Sequence, residues 1–316
     1  MTIGDHLSEW GGLPAFDFPG PQDARELPDA GAVAWRISVA TYDAEEEWPE
    51  AFARFAESVD TRRVRSLIVG SWSEAYDTSN AGIVEALAGA APEFPALRAL
   101  FVGDITFEEC EVSWIQQSDM GPLLRAYPEL EEFGVRGGEG LAFPPVRHAT
   151  LRVLRVETGG LPREVVRGVG ASELPALAEL DLWLGTPEYG GDAEAGDLEP
   201  FLTGERLPSL RRLALRNSEI QNEVAAALAN APVVERLEVL DLSLGILDDT
   251  GVEALLAGRP LTHLTKLDLH HHYVSEPLRE RLCAALAPHG VEIDLGDEQK
   301  PDVDDEAVYR YIAVAE

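Results

Sequence analysis

A short apolar phrase, L-x-x-L-x-L, returns again and again along the chain and limits its fold more than any other feature. It occurs as Leu97-Leu100-Val102, Leu130-Phe133-Val135, Leu151-Leu154-Val156, Leu177-Leu180-Leu182, Leu210-Leu213-Leu215, Leu237-Leu240-Leu242 and Leu264-Leu267-Leu269. A weaker copy stands at Val64-Leu67-Val69, and the eight first positions are separated by 33, 33, 21, 26, 33, 27 and 27 residues. A near-constant period of this length marks a chain built by stacking one small unit. In a strand the fourth and sixth places of the phrase share a face. Apolar residues at helical spacing follow: Val165, Val166 and Val169; Val224 and Leu228; Val252, Leu255 and Leu256; Leu278, Leu282 and Leu286. One strand-helix unit cannot bury its apolar face alone, whereas eight stacked units form a continuous core with parallel strands.

Over roughly residues 64–295 the pattern resembles the leucine-rich repeat, and the repeat length matches its ribonuclease-inhibitor-like class. The resemblance implies an α/β solenoid: a horseshoe of about eight repeats, a parallel concave sheet, helices on the convex side and a cap at each end. The chain departs from the family at the ninth place of the repeat, which usually holds Asn or Cys. Here that column is Trp72, Ile105, Gly138, Gly159, Gly185, Ser218, Gly245 and His272, so there is no asparagine ladder. The buried polar groups of those turns need other partners, and irregular curvature is expected between residues 135 and 200.

Exposed sheet edges require caps. Residues 1–62 fit an N-terminal cap, with a strand over Val33–Val39 and an amphipathic helix over 44–59 that lines up Trp48, Phe52, Phe55 and Val59. Leu13–Pro19 is expected as an extended segment draped over that cap. Residues 63–296 form the solenoid, closed by a last strand over Val291, Ile293 and Leu295. Residues 297–316 form an acidic tail, seven acids against Lys300 and Arg310. Its first part is expected to be solvated and mobile, with the apolar run Val308–Val314 docked somewhere. The acidic, glycine-rich stretch 185–205 has the composition of an insertion loop.

The 25 basic and 57 acidic residues give a net charge of −32. That excludes the basic footprint of a nucleic-acid or anionic-membrane binder and favours a solvated, self-repelling surface or a partner that is itself basic. Two cysteines form no disulfide framework, the start carries no signal segment, and no apolar run approaches ~20 residues. A cytoplasmic protein with free thiols is expected, with a bacterial source suggested by the Ala, Gly and Arg-over-Lys usage. Cys110 lies among Glu108, Glu109 and Glu111, which should raise its thiol pKa and argue against a nucleophile. Cys283 falls on an apolar helix stripe.

The third, fifth and seventh places of each phrase face away from the core. They are apolar in the first two copies and charged in the later six. Arg136, Arg155, Trp183, Arg212 and Arg216 form a basic-aromatic zone on an acidic chain, joined by Asp181, Asp241, Lys266, Asp268 and His270. Arg and Trp are over-represented at binding hot spots, so these ten residues are the expected partner-binding surface. The competing reading is that Glu132, Glu157, Glu179 and Asp181 neutralise the arginines internally. Asp268, His270 and His272 alternate like a two-histidine, one-carboxylate metal set. His272 sits at the turn, however, and should diverge to bond backbone. Asp241 and Asp268 stand at the same place of adjacent repeats, about 4.8 Å apart, yet Lys266 is near. No nucleotide-loop, metalloprotease or nucleophile-elbow phrase is present.

The function expected is therefore non-enzymatic: a monomeric module, without cofactor, that binds a protein through its concave face. One alternative is an inhibitor or immunity-type partner of a basic enzyme. Another, of a different class, is a metal-assisted enzyme centred on Asp268 and His270.

Overall fold

The computed structural model describes residues 3–304 and 307–316. Twelve strands form one sheet in chain order: β1 Glu9–Trp10, β2 Leu13–Asp17, β3 Ala34–Ile37, β4 Ser66–Val69, β5 Ala99–Val102, β6 Glu132–Arg136, β7 Val153–Glu157, β8 Glu179–Gly185, β9 Arg212–Ser218, β10 Val239–Asp241, β11 Lys266–Asp268 and β12 Glu292–Asp294. Only the β1–β2 pair is antiparallel; every later pair is parallel. Among the described residues eight α-helices cross back between strands: α1 Trp48–Ser58, α2 Ala81–Gly89, α3 Gly121–Ala126, α4 Arg163–Ala171, α5 Glu199–Thr203, α6 Gln221–Leu228, α7 Asp249–Ala257 and α8 Glu276–Leu286. The arrangement is that of a mostly parallel α/β sheet compatible with a repeat solenoid.

The register follows from the repeated phrase. Its fourth residues pair in line across the sheet: Leu67 with Leu100, Leu100 with Phe133, Phe133 with Leu154, and so on through Leu180, Leu213, Leu240 and Leu267. All are fully or almost fully buried, and one apolar cluster runs from Phe18 to Val291. Because side chains alternate along a strand, a one-residue slip would turn this whole row to the open face.

Without an asparagine ladder, carbonyls near the strand ends are met by side chains from several places. Gln117 Nε2 donates to Arg136 O (2.6 Å), Thr158 Oγ1 to Trp183 O (2.9 Å), and Gln221 Nε2 to Leu215 O (2.8 Å). His272 Nε2 lies 3.2 Å from Leu295 O, while its Nδ1 accepts from Val274 N. The expected turn role of His272 is therefore what the geometry shows.

Two sequence expectations need correction. Leu13–Pro19 is not draped over a cap: β2 pairs in parallel with β3 and extends the sheet. The stretch 185–205 is not an insertion loop. It carries two short 3-10 turns and α5, and buries Leu198 and Phe201 as the crossover between β8 and β9. The 21-residue step between β6 and β7 carries no helix among the described residues, and its irregular crossover buries Leu141 and Phe143. The first part of the tail is exposed, in keeping with the solvated segment expected there. The tail forms an antiparallel hairpin, β13 Asp302–Asp304 with β14 Ala307–Tyr309, and then packs Ile312 and Val314 against the body.

Candidate functional site

The face of the sheet opposite the helices is where the sequence places its candidate residues, and the termini cover part of it. Over the first repeats the outward side chains Ala34, Ile68, Ala99 and Phe101 are apolar. Trp10 lies on them edge-to-face with Phe101 at 5.1 Å, with Leu7 and Leu13 alongside. The N-terminal segment is fastened by Asp104, whose carboxylate accepts from Leu7 N (3.1 Å), Arg36 Nε (2.7 Å) and Arg136 Nη1 (3.2 Å). His6 Nδ1 stands 3.0 Å from the Asp104 carbonyl. Burial pushes the Asp104 carboxyl up, but His6, Arg136 and Arg36 outweigh it and hold the pKa below the usual range.

Arg136 and Trp183 thus belong to the interior rather than to an accessible patch. Arg136 bonds Glu157 (2.8 Å) and the Ile105 carbonyl (2.9 Å). Trp183, 7% exposed, packs with Val112, Leu244 and Val314 under the C-terminal segment, with the Arg216 guanidinium 5.2 Å from its ring. Sequence reasoning missed the Trp10 cover, which lies outside the repeat, whereas the apolar run ending at Val314 was expected to dock without its seat being named. The available signal for Trp10 was a single large apolar residue beside Glu9 and two glycines.

The remaining candidates form a lattice of alternating charge across β7 to β12. Arg155 lies within 3.7–4.0 Å of Asp181, Glu157 and Glu179. Arg216 grips Asp181 with two bonds (2.9 and 2.6 Å) and reaches Asp241 at 3.4 Å. Arg212 pairs with Glu179 at 3.2 Å. Burial pushes the Asp241 carboxyl upward, with the Arg216 charge opposing. Between these side chains lies a depression of about 180 Å³ lined by Arg155, Glu179, Asp181, Arg212, Arg216 and Asp241. The internal neutralisation foreseen as the competing reading is therefore extensive. The exposed remainder lies at the strand starts, where the Arg212 side chain is 56% exposed and that of Glu292 is 72% exposed.

At the far end Lys266 Nζ sits 2.9 Å from Asp268 and 3.8 Å from Asp294, and His270 Nδ1 is 2.7 Å from Asp268. Burial raises the Asp268 carboxyl, but the hydrogen bonds from His270 and Lys266 prevail and hold it well below the usual range. The same Asp268 bond raises His270 against the effect of burial. Asp268, His270 and Asp294 can bring one ligand atom each within 4.8 Å of one another. His272 turns away, and the Lys266 ammonium already fills the cationic role between the two carboxylates. A metal set is not favoured by that geometry. The Cys110 thiol is pushed up to about 11 by burial, with Glu111 and Glu109 adding to it, so it is not poised as a nucleophile. No helix among the described residues is long and apolar enough to cross a membrane.

The fold has a solved counterpart. A crystal structure of a Bacteroides fragilis protein superimposes with a TM-score of 0.77 at 28% sequence identity, covering 84% of this chain and 74% of that one. No protein-family model matches the chain, and no curated protein matches it.

Proposed function

We propose that the chain is a leucine-rich-repeat protein of the ribonuclease-inhibitor-like class, with a horseshoe curvature. In this reading it acts as a non-enzymatic module that binds a protein partner through the uncovered part of its concave face. The observation that carries this reading is the charged row at the strand starts, Glu179, Arg212, Lys266 and Glu292, held in register on parallel strands with Val239 between Arg212 and Lys266 and with Arg155 two residues further along β7. A partner docking there loses little freedom to the receptor, because the sheet and its ion pairs already fix the side chains. Further along the same face Asp181 and Asp241 pair with Arg216, and Asp268 pairs with Lys266 and His270, whereas Arg136 and Trp183 lie under the terminal covers and stand outside the proposed interface. A basic partner, such as an enzyme held inactive by this chain, is the second reading. The net charge of −32 favours it by steering encounter.

Capture from lysate with three proteins tests the proposal. Arg212→Glu with Lys266→Glu should lower recovery of the wild-type partner at least tenfold. Arg125→Glu with Arg281→Glu changes the net charge equally, at exposed helix positions, and should leave recovery within about twofold. Equal recovery by all three would place the interface elsewhere.

A further inference from the structure

Three non-glycine residues with left-handed backbone recur at the eighth place of successive repeats: Asn217 (φ 51°), Leu244 (φ 65°) and His271 (φ 56°). Such backbone is uncommon outside glycine and persists only where surroundings impose it. Here the turn of the repeat imposes it, each N–H donating to the next unit at Ser243 O, His270 O or Gly296 O, and the same three residues also touch one segment of the chain's own tail. The Asn217 side chain donates to Val314 O (2.6 Å) and accepts from Val314 N (3.0 Å). Leu244 O accepts from Ala313 N (2.8 Å), and His271 Nε2 donates to Tyr311 O (3.1 Å). Tyr273 OH donates to Tyr311 O (3.0 Å) and accepts from Tyr311 N (2.9 Å), while Ser113 Oγ donates to Ala315 O. Nearly every contact is to backbone, and the side chain of Val314 enters an apolar seat made by Val112, Trp183 and Leu244. Gly159 leaves room for the segment: a Cβ there would come 2.0 Å from Ala315 O. The β13–β14 hairpin that carries the tail is exposed at all six described strand residues, so it works as an arm rather than as part of the core.

Main-chain bonding combined with pockets for alternate side chains is how sheet-type receptors hold extended peptides. We propose that this groove is a peptide-binding site whose resident, exchangeable occupant is the tail segment 310–316. Its ligand is an extended segment of a partner protein with β-branched aliphatic residues at alternate positions, small residues between them and an acidic end, the pattern of Ile312, Val314 and Glu316. A second copy's tail would offer only the same contacts, and the tethered tail holds an effective concentration in the millimolar range. A partner segment that makes better use of the Val314 seat can displace it. This site lies at the strand ends and stands independently of the proposed concave-face function.

The test uses the full chain with a protease site placed between Asp304 and Ala307. After cleavage the body should stay folded and bind a fluorescent peptide of the sequence Tyr309–Glu316 saturably, at least tenfold more tightly than the uncut chain does. Asn217→Ala and Gly159→Ala should each weaken that binding at least tenfold in the cut chain. In the uncut chain Gly159→Ala should shift tryptophan emission to the red as the tail leaves Trp183. The proposal is overturned if cleavage unfolds the body, if the folded cut chain does not bind the peptide, or if cut and uncut chains bind it equally. A stable dimer formed by tail exchange would overturn the assignment to a partner.

Discussion

Leu240 shows how much one residue carries. It is fully buried, in register between Leu213 and Leu267, so truncation empties space in three repeats at once. Leu240→Ala should cost about 2–5 kcal/mol, read by chemical denaturation. Unchanged stability would refute the register. Asp104 carries the polar counterpart, since it neutralises both Arg36 and Arg136 in a site with no exposure of its own side chain. Asp104→Asn should cost about 1.5–3 kcal/mol, because Arg36 and Arg136 each lose one carboxylate partner while keeping Asp17 and Glu157. A titration separates the histidines from the acids. His6 is raised by its hydrogen bond to Asp104, as His270 is by its bond to Asp268, with burial opposing both. Both hold a proton more strongly folded than unfolded. Their contribution is complete below about 6.5 and is lost as pH rises through the higher folded value. Asp104 and Asp268, held low in the folded state, contribute above the unfolded carboxylate value and lose that contribution as pH falls. His148 and His272, pushed down by burial, act in the opposite sense, so the test is a difference: the melting temperature of His270→Gln relative to the wild type should rise between pH 6 and pH 8. A difference that does not change with pH would remove His270 from the account.

Elements divide into those the sequence pattern announces and those it hides. The strands β4 to β11 begin two residues after the first position of each phrase, because the fourth and sixth places must face the core together. Helices α4, α6, α7 and α8 follow from apolar residues three and four apart. The run that ends at Val314 announces by its composition that it docks, but the seats of both covers were illegible for a physical reason: periodicity reports repeated burial, and Trp10 and Val314 are each buried once, by contacts about 91 and 70 residues away in sequence, to Phe101 and Leu244. The charge lattice was half legible. Arg136 beside Glu157 and Trp183 beside Arg216 are same-place neighbours of adjacent strands, so their pairing could be read from the columns. The Arg216 clamp on Asp181 runs diagonally and could not. Deleting residues 3–10 should uncover Ile68, Ala99 and Phe101, and the measurable result is binding of an apolar dye together with self-association. A deletion variant that stays monomeric and dye-free would show that Trp10 covers nothing of consequence.

At the scale of the whole molecule, a surplus of acids surrounds a core that grows by repetition of one unit. Repulsion across −32 charges opposes compaction, and the continuous leucine row opposes it in turn. The sheet makes the functional proposal possible, since only strands stacked in chain order can bring Glu179, Arg212, Lys266 and Glu292 into one row. The distance between nitroxide labels at Val153 and Glu292 tests that order most directly. Five strand spacings separate β7 from β12, which places the two backbones about 24 Å apart at about 4.8 Å per spacing. A narrow distribution centred within several ångströms of that value is the predicted result. A broad distribution, or one centred beyond about 35 Å, would contradict the stacked sheet and with it the binding face built on it.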